Sequence, residues 1–208
     1  MANKISLPVI KRLPRYYRYV ADLRREGVAT VSSSELAEML GTTASQVRQD
    51  FNCFGGFGQQ GIGYNVDILS EELTKLLMGG SELSVILIGT GHLGRTMSHF
   101  LATEAPGYKL TAFFDKSPAE IGQRLEGLPI RDVENLPAFC KENQVDVAVL
   151  CIPEEEAAVL APTLKHLGVR GFWNFSQYDL TFGEDVAVEN VHLGDSLMSL
   201  GFRVRRGN

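Results

Sequence analysis

Residues 83–100, LSVILIGTGHLGRTMSHF, decide the fold. The apolar run Leu83 to Ile88 reads as a buried strand, and it stops at Gly89. Gly89, Gly91 and Gly94 complete a G-x-G-x-x-G, and a helical pattern follows. The next apolar run, KLTAFF, ends in Asp115. Strand, glycine turn, helix, strand and terminal acid form the dinucleotide-binding fingerprint in its required context. Gly89 permits the tight turn, Gly91 lets the backbone approach a pyrophosphate, and Gly94 lets the helix lie close to the sheet. The helix N-terminus offers free N–H groups and a positive dipole end to the phosphates. The expected nucleotide contacts are Gly89, Thr90, Gly91, His92, Leu93 and Gly94 in the turn, with Asp115 accepting from a ribose 2′-hydroxyl. A carboxylate there repels a 2′-phosphate, so NAD(H) is expected over NADP(H); Lys116 beside it softens that preference.

Downstream the α/β alternation continues. VENLPAFCKEN reads as a helix, VDVAVLCI as a buried parallel strand, and EEEAAVLAPTLKHLG as a helix that Pro162 should bend. VRGFWNF and VAVENVHL read as further strands. Pro153, Asn174 and Phe175 fall at carboxyl ends of strands, where doubly wound sheets bind ligands, and are expected at the cofactor. SLMSLGFRV reads as a C-terminal helix too apolar for a free tail.

Upstream of the fingerprint lies a different composition. Residues 1–64 hold eight basic and five acidic residues, a net +3, whereas the remainder holds twelve basic and twenty acidic, a net −8. A basic front on an acidic body points to a polyanion partner for the front. Residues 4–12 read as a short helix and 14–26 as a longer one, with Pro14 in its first turn and Gly27 as its stop. Ser32 and Glu35 have capping-box spacing before ELAEMLG, and Thr43 and Gln46 repeat it before SQVRQDFN. In that last helix Ala44, Val47 and Phe51 face inward. Ser45, Gln46, Arg48, Gln49 and Asn52 face outward, as side chains that read DNA do. The glycines at 55, 56, 58, 61 and 63 then suit a tight hairpin, the wing of a winged helix. DILSEELTKLLM is one more amphipathic helix, and Gly79-Gly80 marks a boundary.

The expected architecture is α/β: a winged helix-turn-helix over residues 1–78, a Rossmann-like doubly wound parallel sheet over 79–191, and a C-terminal helix over 192–208. No apolar run spans a bilayer and MANKISLPVIKRLPRYY has no signal-peptide core, so a cytoplasmic protein with no membrane partner is expected. Cys53, Cys140 and Cys151 show no C-x-x-C spacing, which argues against a disulfide framework or metal site. A small NAD-dependent dehydrogenase is the first rival reading. No substrate domain and no catalytic arrangement can be assigned, so no enzyme is expected. A regulator responsive to CoA or another nucleotide is the second rival, opposed by Asp115.

Taken together, KRLPRYYRYV, SSSELAEMLG, VRQDFNCFGGFGQQGIGYNV, IGTGHLG, FFD and VENV resemble the Rex family of redox-sensing transcriptional repressors across essentially the whole chain. The resemblance implies a homodimer that holds palindromic operator DNA at low NADH/NAD⁺ and releases it when NADH binds, with the C-terminal helix exchanged between subunits. It places Arg48 and Gln49 in the major groove, and Gln59, Gln60 and Gly61 at the wing tip. Arg12 joins the DNA-facing set. Arg18, Phe100 and His192 are assigned to an interdomain switch. Phe100, Phe175 and Leu193 are candidates to line a nicotinamide pocket whose apolar walls disfavour the cationic ring of NAD⁺. This chain departs from the family where Gln49, Gln59 and Gln60 replace basic residues and where His192 replaces an acid. Fewer phosphate contacts and a weaker salt dependence should follow from the first departure. An Asp–Arg bridge cannot form after the second.

Overall fold

The computed structural model describes residues 5–54, 58–59 and 63–207. The chain divides into two compact units, Met1–Gly80 and Ser81–Asn208.

The first unit opens with one long helix, α1 (Leu7–Arg25), where the sequence suggested two. Pro8, not Pro14, takes the first-turn position, where a missing N–H costs nothing. Pro14 lies inside the helix, and α1 runs on through it. Strand β1 (Thr30–Val31) leads to α2 (Ser33–Leu40), whose start is a complete capping box between Ser32 and Glu35 and whose end is left-handed Gly41. Helix α3 (Ala44–Asn52) follows a three-residue turn, Gly41 to Thr43, with the Thr43 side chain accepting from the Gln46 N–H. Strands β2 (Gly58–Gln59) and β3 (Gly63–Asn65) pair antiparallel, and β3 also pairs with β1. Gly63 has φ +86°, and a Cβ there would meet the Val31 carbonyl oxygen at 2.7 Å, so this crossing of strands needs glycine. Helix α4 (Val66–Met78) closes the unit. Tyr16, Val20, Leu36, Val47, Phe51, Leu69 and Leu73 make its core, with Phe51 packed against both Tyr16 and Tyr64.

The second unit is the doubly wound sheet. Its elements run β4 (Leu83–Ile88), α5 (His92–Thr103), β5 (Tyr108–Asp115), β6 (Arg124–Leu125), β7 (Leu128–Asp132), a 3-10 turn at Val133–Asn135, α6 (Leu136–Glu142), β8 (Val147–Leu150), α7 (Glu154–His166), β9 (Gly171–Asn174), β10 (Ala187–Asn190) and α8 (Leu193–Arg206). Among the described residues the sheet has seven strands in the order β10-β9-β8-β4-β5-β7-β6, parallel except for the β6–β7 hairpin. That hairpin carries no strong apolar run and was not foreseen. Strict alternation fills both faces: Ile86, Ile88, Phe114, Ala148 and Leu150 join one core, while Val85, Leu87, Phe113 and Val149 join the other. Burying an aromatic such as Phe113 or Phe114 stabilises the fold by about 1.5–3 kcal/mol. The chain goes from β4 outward to β5 and β7, then returns to the other side of β4 with β8. The crevice at the carboxyl ends of β4 and β8 is therefore the topological switch point.

Candidate functional site

At that switch point the glycine turn adopts the geometry its residues require. Gly89 has φ +90°, and a Cβ there would lie 2.3 Å from the Cys151 carbonyl oxygen. A Cβ on Gly94 would lie 1.8 Å from the Gly89 carbonyl oxygen, so helix and turn can approach this closely only without side chains. Above Gly91 the space is open, which leaves its backbone accessible to a ligand. Gly91 is the N-cap of α5, with no side-chain cap and no acid in the first turn. The nearby α7 differs: Glu154, Glu155 and Glu156 occupy its first turn behind the N-cap Pro153. Of these two helix N-termini, that of α5 presents its positive end without a built-in carboxylate.

Asp115 terminates β5 beside this turn. Its carboxylate accepts from the Thr90 N–H at 2.6 Å, the Thr90 hydroxyl at 2.8 Å and the Ser117 N–H at 2.9 Å. Burial pushes its carboxyl up, but these N–H and O–H donors outweigh that and hold it below the ordinary carboxylate value. Asp115 is thus ionised and fixed in direction. A cleft of about 210 Å³ opens here, lined by Gly89, Gly91, Asp115, Lys116, Pro153 and Glu156, with Ile88, Val133, Ile152 and Leu160 as apolar wall. Lys116 donates to Glu156 at 2.7 Å. Thr90 is buried, His92 and Leu93 open α5, and Arg95 on the same helix pairs with Glu120 at 2.5 Å. The Arg95–Glu120 pair has no signal in the sequence motif.

Asn174 was expected at the cofactor but is committed to the fold instead. It is buried, and its amide is consumed by the fold: Nδ2 donates to the Tyr178 carbonyl and to Asn190 Oδ1, and Oδ1 accepts from the Ser176 N–H and hydroxyl. A buried amide must be satisfied, and here 176–180 and β10 satisfy it, leaving nothing for a cofactor. Next to it, Phe175 packs on Trp173 at 4.7 Å between ring centroids, and the Phe100 ring lies 6.0 Å from the same indole.

In the first unit, α3 presents Ser45, Arg48, Gln49 and Asn52 to solvent, and Arg48 donates to the Ser33 hydroxyl at 2.9 Å. Gln46 and Arg12 were expected on this DNA-facing surface but turn inward. Both converge on Asp50, which is fully buried. Arg12 grips it bidentately at 2.6 and 2.7 Å, Tyr16 donates at 2.8 Å, and Gln46 donates at 2.8 Å. A buried carboxylate without such partners would be severely destabilising, so it draws these donors away from the surface. Burial pushes the Asp50 carboxyl up, but the hydrogen bonds from Arg12, Gln46 and Tyr16 bring it below the ordinary range; burial and Asp50 together raise the Tyr16 hydroxyl. Gln59 lies in β2; Gln60 and Gly61 lie outside the described residues.

Arg18 is exposed on α1. His192 is the N-cap of α8, and its Nε2 is buried without a hydrogen-bond partner among the described residues. The Asp179 and Asp195 carboxylates each lie 3.7 Å from its ring nitrogens. Helix α8 buries none of its residues: Leu193, Leu197, Met198, Phe202 and Val204 are all exposed. Among the described residues no helix is long and apolar enough to cross a membrane, and no group of three or more His, Cys, Asp or Glu could hold a metal ion.

A winged-helix unit joined to a dinucleotide-type Rossmann unit is the build of a nucleotide-responsive transcription regulator. A redox-sensing transcriptional repressor Rex from Thermoanaerobacter pseudethanolicus is 43% identical over 202 residues, covering 97% of this chain and 90% of that one. The chain belongs to the Rex family of redox-sensing transcriptional repressors. The crystal structure of RSP in complex with β-NAD⁺ and operator DNA matches with a TM-score of 0.90 at 42% identity, over 99% of this chain and 94% of that one. RSP in complex with β-NADH matches with a TM-score of 0.88 at 40% identity, over 98% and 95%. A family profile described as a putative DNA-binding protein N-terminus matches residues 4–52, and one described as a CoA binding domain matches residues 81–178.

Proposed function

We propose that this chain is a repressor that holds palindromic operator DNA at a low NADH/NAD⁺ ratio and leaves it when NADH binds. The observation that carries the reading is the pairing of an uncapped α5 N-terminus with a caged, ionised Asp115 at one cleft, in a chain whose other unit is a winged helix. RSP, similar over nearly the full length, has been crystallised with NADH and with NAD⁺ plus operator DNA. The α5 N–H groups would take the pyrophosphate, Asp115 the adenine-side ribose, and the apolar wall of Ile88, Val133, Ile152, Pro153 and Leu160 the adenine. Phe175 and Phe100, both close to Trp173, offer apolar surface to a neutral reduced nicotinamide, for which no ring charge has to be desolvated.

Ser45, Arg48, Gln49 and Asn52 would face the major groove, with β2 and its Gln59 as part of the wing. Two copies would be needed for a palindrome, since half-sites repeat with the protein's two-fold symmetry. The uncovered apolar side of α8 supports a dimer in which each copy covers the other's tail, and Arg18, Phe100 and His192 would take part in the switch between states. A ligand shifts an equilibrium only by its differential affinity, and moving 99:1 to 1:99 takes about 5.5 kcal/mol, less than 3 per site in a dimer.

The test is fluorescence anisotropy of a labelled palindromic operator library, with NADH titrated against a fixed excess of NAD⁺. Release by NADH and retention by NAD⁺ is the expected result. Binding that ignores both nucleotides would leave a winged-helix regulator with another ligand. The CoA-binding profile favours CoA as that second reading, and calorimetry with CoA separates the two.

A further inference from the structure

The geometry points to Glu156 as a specificity-determining residue that, by holding Lys116 in an ion pair, makes the cleft reject adenosine nucleotides carrying a phosphate on the ribose. This rests on the nucleotide reading above and adds which nucleotides the same cleft excludes. Lys116 is the one basic residue lining the cleft among the described residues, and it directly follows the ribose-facing Asp115. A lysine at that place is suitably positioned to neutralise a ribose phosphate, which would turn the site toward NADPH or, through its 3′-phosphate, toward CoA. Its ammonium is already engaged: Nζ sits 2.7 Å from a Glu156 carboxylate oxygen, and Glu156 is itself part of the cleft wall. The other basic group near the turn, Arg95, is likewise paired, with Glu120.

A ribose phosphate entering here would therefore meet the Asp115 carboxylate, with Glu156 and the neighbouring Glu155 beside it, while the available cation is satisfied elsewhere. A ribose hydroxyl meets the opposite situation. Asp115 accepts its hydrogen bond, and the charges around it need no rearrangement. The pair also spans two elements, the end of β5 and the first turn of α7, so its geometry is set by the sheet and not by a loop alone. Glu156 holds Lys116 through a direct hydrogen bond as well as by charge, and this raises the lysine's proton affinity and keeps it cationic.

The test is isothermal calorimetry of NADH, NADPH and CoA on the full chain, for the wild type, E156Q and the double variant E156Q/K116A. The wild type should bind NADH and discriminate against both phosphorylated ribose ligands. In E156Q, the freed lysine should raise NADPH affinity relative to NADH by about three- to five-fold, the scale of one exposed charge pair, with CoA following. In the double variant that gain should disappear, which a merely structural role for Glu156 would not produce. An E156Q protein that binds NADH but keeps the wild-type NADPH:NADH ratio overturns the inference, as does a wild type that takes NADPH as readily as NADH. A wild type that binds no dinucleotide at all overturns the nucleotide reading itself, and with it the inference.

Discussion

Asp50 in the winged helix and Asp115 in the Rossmann unit are both carboxylates held below their ordinary pKa by a cage of donors, against the cost of burial. The cages differ in kind. Asp50 is enclosed by side chains from α1 and α3, with Arg12 38 residues away in sequence, and it has no exposure. Asp115 is held by Thr90 and Ser117, largely through backbone N–H groups of adjoining turns, and one flank stays open to a cleft. A cage of distant side chains joins elements of a fold. A cage of local backbone fixes a charge in space and leaves it free to meet a ligand.

The largest effect should come from breaking the first cage. Asp50→Ala leaves Arg12 half-buried without its partner and should destabilise the N-terminal unit by about 3–5 kcal/mol, the cost of removing one member of a buried pair. Urea unfolding followed by circular dichroism measures this, and NADH affinity should stay within about two-fold because Asp50 lies outside the cleft-bearing unit. The same cage makes the unit acid-sensitive. A carboxyl with a lowered folded-state pKa contributes stability above its ordinary value of 3.8 and loses it as pH falls through the lowered one. Acid unfolding of the first unit should begin only below about pH 4 in the wild type, and Asp50's share of that acid limb should be lost in Asp50→Ala, leaving the smaller share of the capping-box Glu35, whose carboxyl is also held low.

Asp115→Ala opens the second cage. It should weaken NADH binding by about 1.5–3 kcal/mol, the scale of hydrogen bonds to a charged group, with operator affinity in the absence of nucleotide unchanged. Equal NADH affinity in both proteins, read by calorimetry, would collapse the contrast between the two aspartates. Arg48→Ala tests the exposed face that Asp50 supports from below: operator affinity should fall by about 1–3 kcal/mol if Arg48 reads a base. Should Arg48 contact only phosphate, the salt slope falls by about one instead. NADH affinity should not move in either case. Smallest of all, Ser32→Ala removes one half of the α2 capping box and should cost about 1 kcal/mol in the first unit's unfolding free energy.

The glycine turn, the strand end at Asp115, and the turn between α2 and α3 were legible because each depends on residues within a few positions of one another. Arg12, Gln46 and Asn174 were misread for the opposite reason. In VRQDF, Asp50 looks like one more surface acid, and only the arrival of α1 makes it the buried group that claims Arg12 and Gln46. Asn174 sits where ligands bind in such sheets, yet its amide is taken by Ser176, Tyr178 and Asn190, residues whose approach depends on how the chain turns after β9. Pro14 was placed at a helix start because proline favours the first turn. Pro8 already fills that role, and the length of α1 comes from packing Leu13, Tyr16 and Val20.

The chain contains a single tryptophan, and it is the indole close to Phe100 and Phe175 in the nucleotide-binding unit. Reduced nicotinamide absorbs light in the band where indole emits; the oxidised ring does not. Tryptophan emission should therefore dim when NADH binds and stay bright with NAD⁺, giving an unlabelled optical readout of which form of the coenzyme the protein holds.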